Sequence, residues 1–185
     1  MNRIQIRRTV LTAIFTALIA AGAYAAIPIG PVPIVLTTFF VLLSGLLGGF
    51  RIGLYSTAAY LLLGILGLPV FAGGAGGFAV LIGPTGGYLA GYLLAASTAG
   101  LLYRPGKNSS HTKKIILAGL AALTGSIMIY IPGVPWLKMA LGFDWNKALQ
   151  AGMLPFIPGD ILKAAAAVAL AVTLKDRFNN FLKDE

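Results

Sequence analysis

Asp160 and Lys163 are the residues of this chain best placed to do chemistry. They follow the stretch Pro155-Phe156-Ile157-Pro158-Gly159 and lead into the apolar run from Ala164 to Leu174. A helix that starts at this proline and glycine carries both side chains on one face of its first turn, spaced i, i+3. The helix dipole favours a carboxylate at that end and disfavours a lysine. Charges at the edge of hydrocarbon are costly, and they serve a ligand, an ion path or each other. Ionised Asp160 only accepts hydrogen bonds and Lys163 only donates them. Together they suit a ligand with N–H donors beside a C=O, or one with a carboxylate. An ion pair with no ligand is the plainer alternative.

A second constellation is Phe71-Ala72-Gly73-Gly74-Ala75-Gly76-Gly77-Phe78, followed by Gly83-Pro84-Thr85-Gly86-Gly87-Tyr88. Six small residues between two phenylalanines cannot build a packed core alone. Glycine permits positive φ and close backbone approach. Exposed backbone groups can then meet a small ligand, with aromatic faces closing around it. A tight interhelical turn is the competing reading. A phosphate cradle is excluded, because no Gly-x-x-x-x-Gly-Lys-Ser/Thr run occurs.

Catalysis finds little support. Cysteine is absent and His111 is the only histidine, lying in a basic segment without other metal ligands. There is no His-Glu-x-x-His motif. No metal, cofactor or enzymatic activity is expected.

The scaffold for these groups is a membrane bundle. Of the 185 residues, 58% are hydrophobic and 10% charged, against about 25% charged in a soluble domain. The net charge of +9 does not indicate nucleic acid, because the charges fall between apolar spans. Six spans are expected, at about 9–27, 34–50, 52–68, 84–103, 115–131 and 159–174, each near the length that crosses hydrocarbon. They form one all-α domain over 1–185. The basic start and apolar run of the first span resemble a signal peptide, but its length and the absence of a small-residue cleavage site favour a membrane helix. Within it Ala13, Ala17 and Ala21 form a flat stripe that lets another helix approach closely. That helix belongs either to this chain or to another subunit.

Six spans put both termini on one side. Arg3, Arg7, Arg8, Arg51, Arg104, Lys107, Lys113, Lys114, Lys175, Arg177 and Lys183 fall on the terminus side, and Lys138, Lys147 and Lys163 on the other. The positive-inside rule then makes both termini cytoplasmic. All prolines except Pro105 fall on the opposite, outer side. Irregular backbone at membrane depth is tolerated where it is buried or lines a cavity, so a ligand site opening outward is expected. The connection 132–158 is read as a long loop with a short helix capped by Asp144. It holds Trp136 and Trp145, read first as interfacial anchors. Lys175 to Glu185 is read as a charged tail.

The runs Phe71-Ala-Gly-Gly-Ala-Gly-Gly, Gly83-Pro-Thr-Gly-Gly-Tyr88-Leu-Ala-Gly91 and Pro158-Gly-Asp-Ile-Leu-Lys163 resemble the BioY family, the biotin-specific S components of energy-coupling factor (ECF) transporters. The likeness covers essentially the whole chain. It implies the six-helix S-component fold in a bacterial or archaeal cytoplasmic membrane, with biotin captured from outside. It also implies partnership with a transmembrane coupling subunit and two ATPase subunits. By the resemblance Asp160 and Lys163 hold biotin's polar head, Phe71, Phe78 and Tyr88 contact its bicycle, and the Gly73–Gly77 loop acts as a lid, with Gly73, Gly74, Ala75 and Gly76 at the ligand. The same resemblance gives Ala13, Ala17 and Ala21 to docking on the coupling subunit. The alternatives are an S component for another vitamin, a stand-alone secondary transporter using Asp160, or a structural membrane subunit.

Overall fold

The computed structural model describes residues 3–106 and 109–182; Lys107 and Lys183, counted above among the terminus-side charges, lie outside the described residues. Helix α1 spans Arg3–Tyr24, and the short strands β1 (Ala26–Ile27) and β2 (Ile34–Val35) pair antiparallel after it. Then follow α2 (Thr37–Ile65), α3 (Ala79–Ile82), α4 (Gly86–Leu102), α5 (His111–Leu141), α6 (Trp145–Gly152) and α7 (Ile157–Leu182). Helices α1, α2, α5 and the stretch Trp145–Leu182 are long and apolar enough to cross a membrane, and α4 is a shorter apolar helix.

Helix α2 is two antiparallel segments. Gly49 breaks it with φ 72° and ψ −176°. A Cβ placed on Gly53 would lie 2.9 Å from the Cα of Gly45. Residues eight apart in a straight helix stand about 12 Å apart, so the chain folds back at Gly49. With that turn, α1, the two arms of α2, α4, α5 and α7 make the six expected helices. The Gly48-Gly49 pair is the sequence cue, since only glycine takes this φ without strain.

Two expectations about helix ends need correction. The fifth span does not stop at Ile131; α5 continues through Pro132 and Pro135 to Leu141. A proline inside a helix removes a hydrogen bond and crowds the preceding turn. Here the proline-bearing turn is packed tightly against α4. A Cβ on Gly87 would strike the Pro132 carbonyl, and one on Gly91 would lie 2.7 Å from the Ile129 carbonyl oxygen. Close packing of this kind lets membrane helices keep prolines. The connection between α5 and α7 is therefore much shorter than 132–158. Gly142 ends α5 in a left-handed conformation, and Asp144 caps α6 by accepting from the Lys147 amide at 2.7 Å.

Lys175 is not part of a charged tail: α7 runs on to Leu182 and buries this lysine, leaving it 6% exposed. Its Nζ donates to the carbonyls of Leu46 (2.7 Å) and Leu47 (3.0 Å) and lies 5.3 Å from the centre of the Tyr103 ring. Those carbonyls end the first arm of α2, where a helix has orphan acceptors and a negative dipole end. Lys175 thus caps the turn of the α2 hairpin from a neighbouring helix.

These contacts define one end of the bundle. Arg7 donates to the Phe181 carbonyl at 2.9 Å, joining the start of α1 to the end of α7. Lys114, at the start of α5, pairs with Asp176 at 2.6 Å. Among the described residues, Arg3, Arg7, Arg8, Arg51, Arg104, Lys113, Lys114, Lys175 and Arg177 belong to this end, and Lys138, Lys147 and Lys163 to the opposite one. The core between them is made by α2, α4 and α5, with Leu42, Leu46, Ala95, Ala96, Ala99, Ala121 and Ala122 fully or almost fully buried. Small side chains on α4 let its neighbours approach closely.

Candidate functional site

At the end away from the termini, α7 begins one turn before Asp160. Asp160 and Lys163 do share a face, with Asp160 Oδ1 2.6 Å from Lys163 Nζ. Neither is left in water, at 16% and 12% side-chain exposure. The second carboxylate oxygen of Asp160 accepts a hydrogen bond from the Tyr130 hydroxyl of α5. Lys163 also donates to the Val35 carbonyl of β2 at 3.2 Å. Three elements therefore hold the pair, and each charge already has two partners. This arrangement meets the requirement that a part-buried charge be paired and hydrogen-bonded.

The pair borders a small cavity of about 30 Å³, which it lines with Thr38, Tyr88, Tyr92, Tyr130 and Phe156. A larger cavity of about 160 Å³ adjoins it. The two share Val32, Pro33, Val35, Tyr88 and Tyr92 as lining residues. The larger one is walled by Tyr60, Phe71, Ala72 and Ala75, with Thr37 at its side. Charge and hydrogen-bonding groups thus stand at one end of the chamber, and aromatic surface at the other.

The glycine-rich loop forms part of this wall. The Phe71 amide donates to the Ala75 carbonyl at 2.9 Å, and the Gly74 amide to the Phe71 carbonyl at 3.0 Å. Closing so tight a loop uses φ of +70° at Gly73 and +76° at Gly74. The loop docks on α2 where the Gly77 amide donates to the Gly64 carbonyl at 2.7 Å. Gly64 is fitted to the buried Phe71 ring, which would collide with any Cβ there. The hydroxyl of Tyr24, at the end of α1, donates to the Pro69 carbonyl beneath the loop.

Not every expected site residue joins the chamber. Phe71, Ala75 and Tyr88 line it, and Asp160 and Lys163 close its polar end. Gly73 and Gly74 shape the loop without lining either cavity. Gly76 packs against the backbone of Gly67 and Leu68. Phe78 stands outside both cavities and is 62% exposed, so its ring does not wall the chamber in this structure. Its neighbour along the loop, Val80, lines the larger cavity instead. Tyr88 has a further tie, donating to the Gly152 carbonyl at 2.7 Å. Ala13, Ala17 and Ala21 are all exposed on α1, so none of the described helices covers the stripe.

Sequence reasoning passed over Tyr60, Tyr92 and Tyr130. An aromatic residue within an apolar run carries no local sign of facing a cavity. Thr37 and Thr38 are rare polar side chains at the start of the second span, and the sequence carries no sign of what they face.

The comparisons agree with this architecture. The BioY family model matches residues 1–180. A probable biotin transporter BioY of Pyrococcus horikoshii is 44% identical over 165 residues, covering 89% of this chain and 94% of that protein. The biotin transporter BioY of Thermotoga maritima is 42% identical over 169 residues, covering 91% and 96%. The crystal structure of the S-component for biotin from an ECF-type ABC transporter matches with a TM-score of 0.85 at 30% identity, over 99% of both chains. A family match across nearly the full length and a shared fold lead to one conclusion: this chain is a multi-pass membrane protein of the BioY family.

Proposed function

We propose that the chain captures biotin and serves as the substrate-binding S component of an ECF-type vitamin transporter. The observation that carries this reading is the Asp160–Lys163 pair closing the polar end of an aromatic chamber. Biotin's ureido ring presents two N–H donors flanking a carbonyl. Asp160 offers an acceptor and Lys163 a donor one helical turn apart, which matches that pattern. The apolar bicycle and tail then suit the Tyr60, Phe71, Tyr88 and Tyr92 surfaces. The names of the relatives support the same ligand.

The chamber is small for this role. Ligand pockets for drug-sized molecules commonly hold about 300–1,000 Å³, and the larger cavity here holds about 160 Å³. The Gly73–Gly77 loop, bent at Gly73, Gly74 and Gly77, is the segment that yields to admit ligand and then closes over it. The chamber end faces outward and the basic terminus end faces the cytoplasm, following the positive-inside rule. The membrane is the cytoplasmic (inner) membrane of a bacterium or archaeon. The exposed Ala13, Ala17 and Ala21 stripe docks on a transmembrane coupling subunit, which two ATPase subunits energise. The bundle reorients against that partner to release ligand inside.

Competition by a panel of vitamins against labelled biotin tests the ligand assignment. Unlabelled biotin is expected to displace the label stoichiometrically, with riboflavin, thiamine and folate inert. Displacement by another vitamin at lower concentration than biotin would reassign the substrate.

A further inference from the structure

Helices α5 and α7 are tied at both ends and part between them. At the chamber end the Tyr130 hydroxyl donates to the Asp160 carboxylate, and at the terminus end Lys114 pairs with Asp176 at 2.6 Å. Between these ties lies an open cavity of about 540 Å³, larger than either part of the ligand chamber. It runs from Ile115 to Tyr130 on α5 and from Val168 to Ile157 on α7. Gly119, Ala122 and Ala164 make its floor, and the exposed Leu123, Ile127 and Ile161 its rim. It shares Tyr130 and Asp160 with the polar cavity and no residue with the aromatic one.

None of the described side chains fills this space. Of the three glycines inside α5, two abut their neighbours: a Cβ would come within 2.8 Å of Leu42 at Gly125 and within 2.5 Å of Tyr88 at Gly133. A Cβ on Gly119 would meet nothing within 4 Å. Protein interiors are close-packed, and an apolar space does not hold water. In a membrane the available filler is hydrocarbon. The shape of the groove distinguishes a chain from a helix. From Ile115 to Tyr130 α5 rises about 22 Å, so the volume leaves a cross-section of roughly 25 Å². A helix, about 10–12 Å across, would need roughly 80–110 Å². The groove therefore admits one extended polymethylene chain and is too narrow for a partner's helix or one from a second copy.

The charges at the terminus end select the headgroup. The first turn of α5, just before Ile115, carries His111, Lys113 and Lys114. Asp176 is the only acidic residue at that end among the described residues, and Lys114 holds it. Lys113 is exposed and has no acidic partner among the described residues. The start of a helix adds positive potential at the same place.

We infer that an anionic phospholipid binds between α5 and α7, with one acyl chain in the groove and its phosphate at Lys113 and His111. The far end of the chain lies against Tyr130 and Asp160 and excludes water from the side of the pair that faces the bilayer. This site is independent of which ligand the chamber takes.

Native mass spectrometry tests it on the full chain, released from micelles doped equally with phosphatidylglycerol and phosphatidylcholine of the same acyl chains. Wild type is expected to retain one phospholipid per chain. Phosphatidylglycerol should be preferred at least about 5-fold, the effect of one cation beside an anionic lipid. Gly119→Phe puts a ring into the open space and is expected to lose the lipid. Leu120→Phe, one position along and outside the groove, is expected to keep it. The double variant His111→Gln/Lys113→Gln is expected to retain a lipid without the preference. Thermal unfolding checks that Gly119→Phe is folded, and Ala164→Leu blocks the facing wall if it is not. Wild type with no retained phospholipid, or with both lipids retained equally, overturns the inference without any variant. So does a folded Gly119→Phe or Ala164→Leu chain that retains lipid like wild type, or a double variant with its preference unchanged. A dimer in place of the bound lipid, dispersed by Gly119→Phe, would give the groove to a second copy and overturn it as well.

Discussion

Removing either charge of the Asp160–Lys163 pair should weaken biotin binding, and removing both should cost less than the sum. Lys163→Met leaves Asp160 Oδ1 without its partner at 2.6 Å and the Val35 carbonyl without its donor at 3.2 Å. The carboxylate then keeps only Tyr130. Asp160→Asn keeps the shape and an acceptor but leaves the ammonium uncompensated. Truncating one partner of a buried charge pair costs about 2–5 kcal/mol. Both side chains retain some solvent contact, at 16% and 12% exposure, so the lower half of that range applies, roughly 2–3 kcal/mol. That corresponds to a loss of affinity of about 30- to 150-fold. The double variant has no stranded charge, so its loss should fall short of the summed single losses by about 0.5–3 kcal/mol, as for residues in one network. Titration calorimetry on wild type, both singles and the double variant measures each term. Single variants with unchanged Kd, or losses that add to within about 0.5 kcal/mol, would refute the coupled-pair account.

Other parts of the molecule respond in separable ways. Lys175→Met should strand the Leu46 and Leu47 carbonyls at the α2 turn, offset in part by removing a desolvated charge; about 1–3 kcal/mol of stability is expected to go. Thermal unfolding in detergent should show Tm lower by about 2–10 °C, with ligand affinity retained, since Lys175 stands about 18 Å along α7 from Lys163; an unchanged Tm would contradict the capping role. Gly64→Ala should push the Phe71 ring out of its seat on α2 and weaken ligand at least about 10-fold by deforming the aromatic wall; normal affinity would detach that wall from binding. Ala17→Trp, on the exposed face of α1, should leave ligand affinity intact and abolish co-purification with a coupling subunit; retained assembly would place the docking surface elsewhere.

Much of this was legible because membranes make exceptions conspicuous. A charge at the head of an apolar run is costly, so Asp160 and Lys163 stand out without any structure. Glycine pairs at 48–49 and 73–74 announced turns that the backbone uses at positive φ. Lys175 was missed for a related reason. It follows the last apolar residues, where a cation reads as solvated, and only the folded hairpin brings two carbonyls to it. The helix beyond Ile131 was missed because proline's local rule is a strong one. Packing against Gly87 and Gly91 of α4 overrides it, and that is a tertiary fact. Tyr130 is the clearest gap at the site: its hydroxyl completes the Asp160 contacts from a helix that sequence alone does not place beside α7.

Equilibrium binding of labelled biotin to the purified chain, without any other subunit, tests the central claim most directly. The account predicts saturable one-to-one binding, displaced by unlabelled biotin and weakened at least about 30-fold in Lys163→Met. Absence of saturable binding by a folded chain, or binding that Lys163→Met leaves intact, would contradict it.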